Sequence, residues 1–170
     1  MAYMNGTFQY MDNSFLWERH DDRKLFKPVY EEGTVLQYLE SQHPKWFMIL
    51  QKAGRCHMFA TQYANNTFTM FIPTEESIPD EVVLDMDRSI AYTIVNNHIL
   101  KGIYEKETLQ TSRVQMLTTL TVGEPIYCTT FSDGTCVLNS ETTIVHPDIR
   151  VGDVIVHVIS DMLCSVPSRR

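Results

Sequence analysis

The fold is decided by the stretch Thr67-Phe-Thr-Met-Phe-Ile-Pro-Thr-Glu-Glu-Ser-Ile78. Its first six residues alternate and are rich in β-forming side chains, which predicts a strand. Pro73 ends that strand, and the Thr-Glu-Glu segment after it places acidic side chains in the first turn of a short helix, where the helix dipole favours them. We therefore expect a strand to be followed directly by a helix at this point.

Further helices are predicted on both sides of this stretch. Thr34-Val-Leu-Gln37 is a capping box that predicts a helix ending near His43. A second helix continues to Ala53-Gly54, where glycine is a typical C-terminal stop, and residues 88 to 97 form another helical stretch. The last third of the chain is instead rich in β-forming residues, with an apolar run at residues 154 to 159 that predicts a central strand. Helices first and strands later indicate an α+β fold.

The cysteines are predicted to be free thiols. They are widely spaced, without a C-x-x-C pair, which gives no support to a zinc or thioredoxin-like site. Asp133-Gly134 predicts a hairpin turn, and the register about that turn would place Cys136 opposite Phe131 rather than Cys128. A disulfide would need a different register. The four cysteines are Cys56, Cys128, Cys136 and Cys164.

Residues 1 to 32 differ from the rest of the chain. They mix aromatic and methionine side chains with charged ones and show no helical or strand period. The segment could be an extended strap on the domain's own surface, or an arm that docks on a neighbouring subunit, since its composition suits contact surfaces. The candidate partner-binding residues are Tyr3, Phe8, Tyr10, Phe15, Trp17 and Phe26.

Composition and charge exclude several functional classes. The net charge of -7 disfavours binding to nucleic acid, because such binding needs basic surface to displace counterions from phosphate. No apolar run approaches the ~20 residues of a membrane-spanning helix. The N-terminus also lacks the pattern of a secretory signal. We therefore expect a chain made in the cytosol, without membrane insertion.

Four stretches, in order, resemble the fasciclin family. The pair of helices from Gly33 to Gly54, ending in Ala-Gly, is similar to the family's opening. The stretch at residues 67 to 78 resembles its first signature box, and Asn97-His-Ile-Leu-Lys-Gly102 its central His segment. Asp148-Ile149, followed by the strand that contains His157, resembles its second box. Asn97 departs from the family, which usually has Tyr or Phe before the central His.

The resemblance implies an architecture and a set of structural residues. The fold would be a fasciclin-like wedge of mostly antiparallel β-sheet, with several helices packed at one side and an extended N-terminal arm. The domain would span residues 33 to 167, after an N-terminal extension at 1 to 32 and before a tail at 168 to 170. The family-motif structural residues are Phe71, Pro73, Thr74, His98, Gly102 and His157.

Few side chains are candidates for a catalytic or ligand-binding role, and no catalytic, cofactor-binding or metal-ligating residue is predicted. His98 and His157 are interpreted as buried histidines that hydrogen-bond the backbone; a ligand role is the alternative, including a metal cluster of His146, Asp148 and His157. The acidic stretch at residues 75 to 87 is either a solvated face or a docking patch for a basic partner.

Two main hypotheses for function remain. The first is a non-enzymatic structural protein, a minor capsid or virion protein assembled in the host cytoplasm, whose N-terminal arm binds other capsid proteins; the family also occurs in large DNA viruses. The second is a secreted or cell-surface adhesion module that binds matrix, receptor or glycan. An enzyme or a metal protein is a distant third hypothesis, and no cofactor is expected.

Overall fold

The computed structural model describes residues 33 to 60 and 67 to 163. The N-terminal extension and the predicted tail lie outside these ranges. The helices are α1 (Val35–Gln42), α2 (Pro44–Lys52), α3 (His57–Ala60), a 3-10 helix (Glu75–Ser77), α4 (Asp80–Asp85), α5 (Arg88–Asn97) and α6 (Lys106–Leu109). The strands are β1 (Phe68–Pro73), β2 (Ile99–Lys101), β3 (Val114–Leu117), β4 (Ile126–Thr130), β5 (Cys136–Leu138), β6 (Thr142–Val151) and β7 (Val154–Ile159).

These strands form one sheet in the order β2-β1-β7-β6-β5-β4-β3 within the described residues. β1 and β7 pair in parallel, and the other neighbouring strands pair antiparallel. All six residues of β1 and all six of β7 are buried. The two predicted strands are therefore adjacent interior strands of an α+β structure, second and third in the order, as strands covered on both faces should be.

The prediction of a wedge is wrong, because the two ends of the sheet meet. Leu100 in the edge strand β2 forms an antiparallel bridge with Thr119, which follows the opposite edge strand β3. The N–H of Leu120 also donates to the carbonyl of Ile99 at 3.1 Å. This contact nearly closes the mixed sheet into a barrel, whose interior is filled by apolar side chains such as Phe71 and Leu117.

Local capping signals define the helix ends. The Thr34 hydroxyl accepts a hydrogen bond from the N–H of Gln37 at 3.3 Å, and the Asp87 carboxylate accepts one from the N–H of Ile90 at 2.9 Å. Each satisfies a backbone donor that the first turn of a helix leaves unpaired. Gly54 follows α2 with φ +73°, a conformation that glycine adopts without steric cost.

The hairpin between β4 and β5 differs from the sequence prediction by one residue. Cys136 lies opposite Thr130, not Phe131, and Cys128 lies opposite Leu138. The thiols of Cys56, Cys128 and Cys136 are free, and Cys164 lies outside the described residues. Burial and the neighbouring Cys136 raise the pKa of Cys128 to about 12, so its thiol stays protonated.

Candidate functional site

His98 joins the end of a helix to a distant part of the backbone. It caps the C-terminus of α5 and is fully buried. The N–H of Leu163 donates to Nε2 at 2.9 Å, so Nδ1 carries the proton and donates to the carbonyl of Ile94 at 2.7 Å. The ring also packs against Trp46, with 5.0 Å between ring centroids. Both nitrogens are thus occupied by the protein's own backbone.

His157 has the opposite tautomer and a similar role. The N–H of Asp148 donates to its Nδ1 at 3.1 Å, so Nε2 carries the proton and donates to the carbonyl of Tyr104 at 2.7 Å. Its ring stacks on Phe71. Asp148 lies where the register of β6 shifts and has φ +59°. His157 therefore fixes an irregular segment of β6 and the loop before α6 against the central strand.

Burial keeps both imidazoles neutral. It lowers the pKa of His98 to about 4, against the opposing effect of the hydrogen bond to Ile94. Burial also lowers the pKa of His157, although the Tyr104 carbonyl and nearby acids oppose this shift. A neutral ring whose two nitrogens are both hydrogen-bonded has no free lone pair for a metal ion and no mobile proton for catalysis.

The other family-motif residues lie in β1 or directly after β1 and β2. Phe71 and Pro73 are buried in β1. Thr74 follows that strand, and its N–H donates to the carbonyl of Ile159 at 3.0 Å. Gly102 has φ +105°, and its carbonyl accepts a hydrogen bond from the Thr69 hydroxyl at 2.8 Å. These residues therefore connect neighbouring strands and loops within the fold.

Two further predictions concern the aromatic residues of the N-terminal extension and a possible metal cluster. Tyr3, Phe8, Tyr10, Phe15, Trp17 and Phe26 lie outside the described residues. Within residues 33 to 60 and 67 to 163, no three His, Cys, Asp or Glu side chains are grouped closely enough to hold a metal ion. Of the alternative metal set, His157 is bound to backbone on both sides, and His146 is exposed.

A surface made by α2 and α4 combines exposed apolar and acidic side chains. Lys45, Met48 and Lys52 lie on one face of α2. The Lys45 ammonium donates to the carbonyl of Ile78 at 2.7 Å, just before α4. Lys52 donates to the carbonyl of Met86 at 3.0 Å, just after α4. Met48 therefore lies beside α4 between the two lysines.

We call this region the α2/α4 surface. It comprises Met48, Val82, Leu84, Glu81 and Asp85. Leu84 is 69% exposed, and Met48 and Val82 are more than one third exposed. Both acidic residues are exposed as well. The lysines of α2 are hydrogen-bonded to backbone and, through Lys45, paired with Asp80. Because Val83 is buried, Glu81 and Asp85 lie together on the outward face of α4, with Val82 and Leu84 on either side of them.

A second exposed apolar group lies on the sheet and was missed by sequence reasoning. Val114 and Met116 alternate along β3 and are 56% and 62% exposed. Met116 lies directly opposite Tyr127 of β4, which is also exposed. The sequence places apolar residues on both faces of this strand, so alternation alone could not identify the outer face.

Comparisons with known proteins agree with this architecture. A fasciclin domain family model matches residues 41 to 165. A solved structure of a FAS1 domain pair from the insect cell adhesion molecule fasciclin I is similar with a TM-score of 0.61 at 20% sequence identity. The match covers 78% of this chain and 51% of that chain, so this chain spans about half of the relative's length. No curated protein matches this chain.

No helix in the described part of the chain has both the length and the apolar character that crossing a bilayer requires.

Proposed function

The chain belongs to the fasciclin domain family, and from this premise we propose that it is a non-enzymatic module that holds proteins together. The similar solved structure comes from an insect cell adhesion molecule, which supports an adhesive role. The two histidines support the same reading, because their hydrogen bonds to backbone leave no reactive group at the motif segments. Contacts with a partner would then be made by the outer surface.

The observation that carries the proposal is the composition of the α2/α4 surface. Leu84 projects 69% of its surface into solvent beside exposed Glu81 and Asp85. Exposed apolar side chains interspersed with charged ones occur in protein–protein contacts. The partner that fits is a basic segment with apolar anchors, since opposite charges both steer and orient association. On this proposal, the exposed acidic residues of α4 act as a docking patch rather than as a solvated face.

The first prediction concerns Leu84. We expect a lysine-rich amphipathic peptide to bind the chain, and Leu84→Lys to weaken this binding by about tenfold or more, because it removes an apolar contact and part of the negative field. Isothermal titration calorimetry gives the affinities. Methyl NMR should show the largest peptide-induced shifts at Leu84.

Matched controls distinguish specific binding of the peptide to the α2/α4 surface from nonspecific electrostatic attraction to the chain. Val122 is 93% exposed and distant in sequence, so Val122→Lys changes the net charge equally and should leave the affinity unchanged. A peptide of the same composition with scrambled apolar spacing should bind weakly. Equal binding of the scrambled peptide, or equal losses in both variants, would contradict the proposal.

The narrower hypothesis of a minor capsid or virion protein stays a prediction. It depends on residues 1 to 32 as an arm that binds capsid proteins, and these residues lie outside the described ranges. The location in virion or cytoplasm depends on the same hypothesis. The extracellular adhesion alternative is the one that the similar structure's description favours.

A further inference from the structure

Lys52 caps the C-terminal end of α4 from the neighbouring helix α2. Its ammonium donates hydrogen bonds to the carbonyls of Val83, Leu84 and Met86, the last two at 3.1 and 3.0 Å. An ammonium has three N–H donors, so one end of one short helix uses all of them. The carbonyls at the C-terminal end of a helix lack partners within it and carry partial negative charge. Lys52 supplies both the donors and the positive charge that such an end needs.

α4 is too short to be stable by itself. It has six residues, Asp80–Asp85, of which Val83 is buried. Isolated helices of this length are not stable in water, and Pro79 at the N-cap makes no side-chain hydrogen bond to the first turn. At Met86 the backbone becomes extended, with φ -70° and ψ 131°. The order of the last turn therefore depends on contacts from outside the helix.

The two ends of α4 are held differently. Lys45 lies about two turns before Lys52 on the same face of α2. Its ammonium donates to the carbonyl of Ile78 at 2.7 Å and forms an ion pair with the carboxylate of Asp80 at 3.0 Å. At the other end, the carbonyls accept side-chain hydrogen bonds from Lys52 alone within residues 33 to 60 and 67 to 163. Lys52 is thus the polar contact that holds the C-terminal end.

Leu84 is the residue whose position this contact decides. Its carbonyl accepts a hydrogen bond from Lys52, whereas its side chain is 69% exposed and is not fixed by packing. α2, which carries Lys52, is anchored in the core by Trp46 and Leu50, both fully buried. Lys52 therefore connects the rigid core to the helix end that carries the most exposed apolar side chain of the α2/α4 surface.

We propose that Lys52 is a positioning residue of the α2/α4 surface, which holds Leu84 and Asp85 in the arrangement that a basic partner binds. This inference rests on the proposed function of that surface and names the residue that controls it. A surface held in its binding arrangement in advance loses less conformational entropy when the partner binds. Removing the ammonium should therefore loosen the last turn of α4 and weaken binding. The buried side chains of Val83 and Met86 keep the segment attached to the domain.

The charge of Lys52 makes the sign of the effect decisive. Lys52→Met removes a positive charge beside an acidic surface and keeps an unbranched aliphatic side chain. If Lys52 acted only through its charge, the variant would bind a basic peptide more tightly, because a repulsive charge is gone. If Lys52 positions α4, binding weakens in spite of the stronger attraction. A purely electrostatic role therefore cannot produce the expected result.

Isothermal titration calorimetry with the same lysine-rich amphipathic peptide measures this effect. We expect Lys52→Met to weaken binding by about fivefold or more, and Lys52→Arg, which keeps the charge and the donors, to recover most of the affinity. Lys101→Met is the matched control, since Lys101 is exposed on β2. The same charge change there should leave binding unchanged or slightly tighter. Circular dichroism should show the wild-type fold in all three variants.

Hydrogen exchange of the chain without peptide tests the hold on α4 directly. The amides of Leu84 and Asp85 should exchange about tenfold faster in Lys52→Met, because the last turn opens more often, while the amide of Leu50 keeps its wild-type rate. Unchanged exchange in α4, loss of the wild-type fold, or binding by Lys52→Met as tight as by Lys101→Met would overturn the proposal.

A wild-type chain that binds no peptide would instead contradict the proposed function of the surface, and with it the docking role of Lys52. Because the exchange measurement needs no peptide, the two failures are distinguishable.

Discussion

The free energy of unfolding should fall by about 3 kcal/mol between pH 7 and pH 4 through His98 alone. Burial holds the pKa of His98 at about 4 in the folded chain, whereas the unfolded ring has the ordinary value of about 6.5. At pH values between these two pKa values, the ring is protonated in the unfolded state and neutral in the folded state. The contribution of His98 to the free energy of unfolding is therefore fully present above the unfolded pKa and is lost as the pH falls towards the folded pKa.

Comparison with His98→Gln isolates this contribution. Urea unfolding at closely spaced pH values gives the slope for each protein, and the variant should show a weaker pH dependence between pH 6.5 and 4, whatever its absolute stability. Burial also lowers the pKa values of His43 and His157, and these groups keep a residual slope of the same sign in both proteins. Identical slopes in wild type and variant would show that His98 titrates normally.

We expect Trp46→Ala to destabilise the fold by about 3–5 kcal/mol, the usual cost of removing a large buried aromatic side chain. Trp46 is fully buried in α2. Its indole N–H donates to the sulfur of Met70 in β1 at 3.3 Å, and its ring packs against His98. The substitution therefore leaves a cavity between α2, β1 and His98.

Chemical denaturation monitored by circular dichroism measures the loss. Met48→Ala is the control on the same helix, because Met48 is 40% exposed and should cost less than about 1 kcal/mol. Trp46→Phe should fall between the two, since it keeps most of the ring. A Trp46→Ala protein as stable as Met48→Ala would show that α2 does not pack on the sheet as described.

Local signals in the sequence predicted most of the elements. The capping box at Thr34 marks the beginning of α1, and Pro73 marks the end of β1, because each acts on the backbone next to it. Gly54 and the Asp133-Gly134 turn act in the same way. The apolar run around His157 predicted a central strand because burial on both faces leaves no alternation to interpret.

Long-range contacts were not accessible to the same reasoning. The bridge between Leu100 and Thr119 nearly closes the sheet and has no local signature, and the wedge that the family resemblance implied did not include it. The tautomers of the two histidines depend on backbone amides of Leu163 and Asp148, which only the tertiary fold brings to the rings. The exposure of Val114 and Met116 depends on which face of β3 the rest of the sheet covers.

The most direct test of a fold held by internal histidines is a ¹⁵N NMR spectrum of the imidazole rings at pH 7. We expect His98 to be neutral with its proton on Nδ1 and His157 neutral with its proton on Nε2, both unchanged when zinc or the basic peptide is added. His98→Gln assigns the first pair of signals. A charged ring at pH 7, or a shift of either ring on adding zinc, would contradict this and make the motif histidines a binding site.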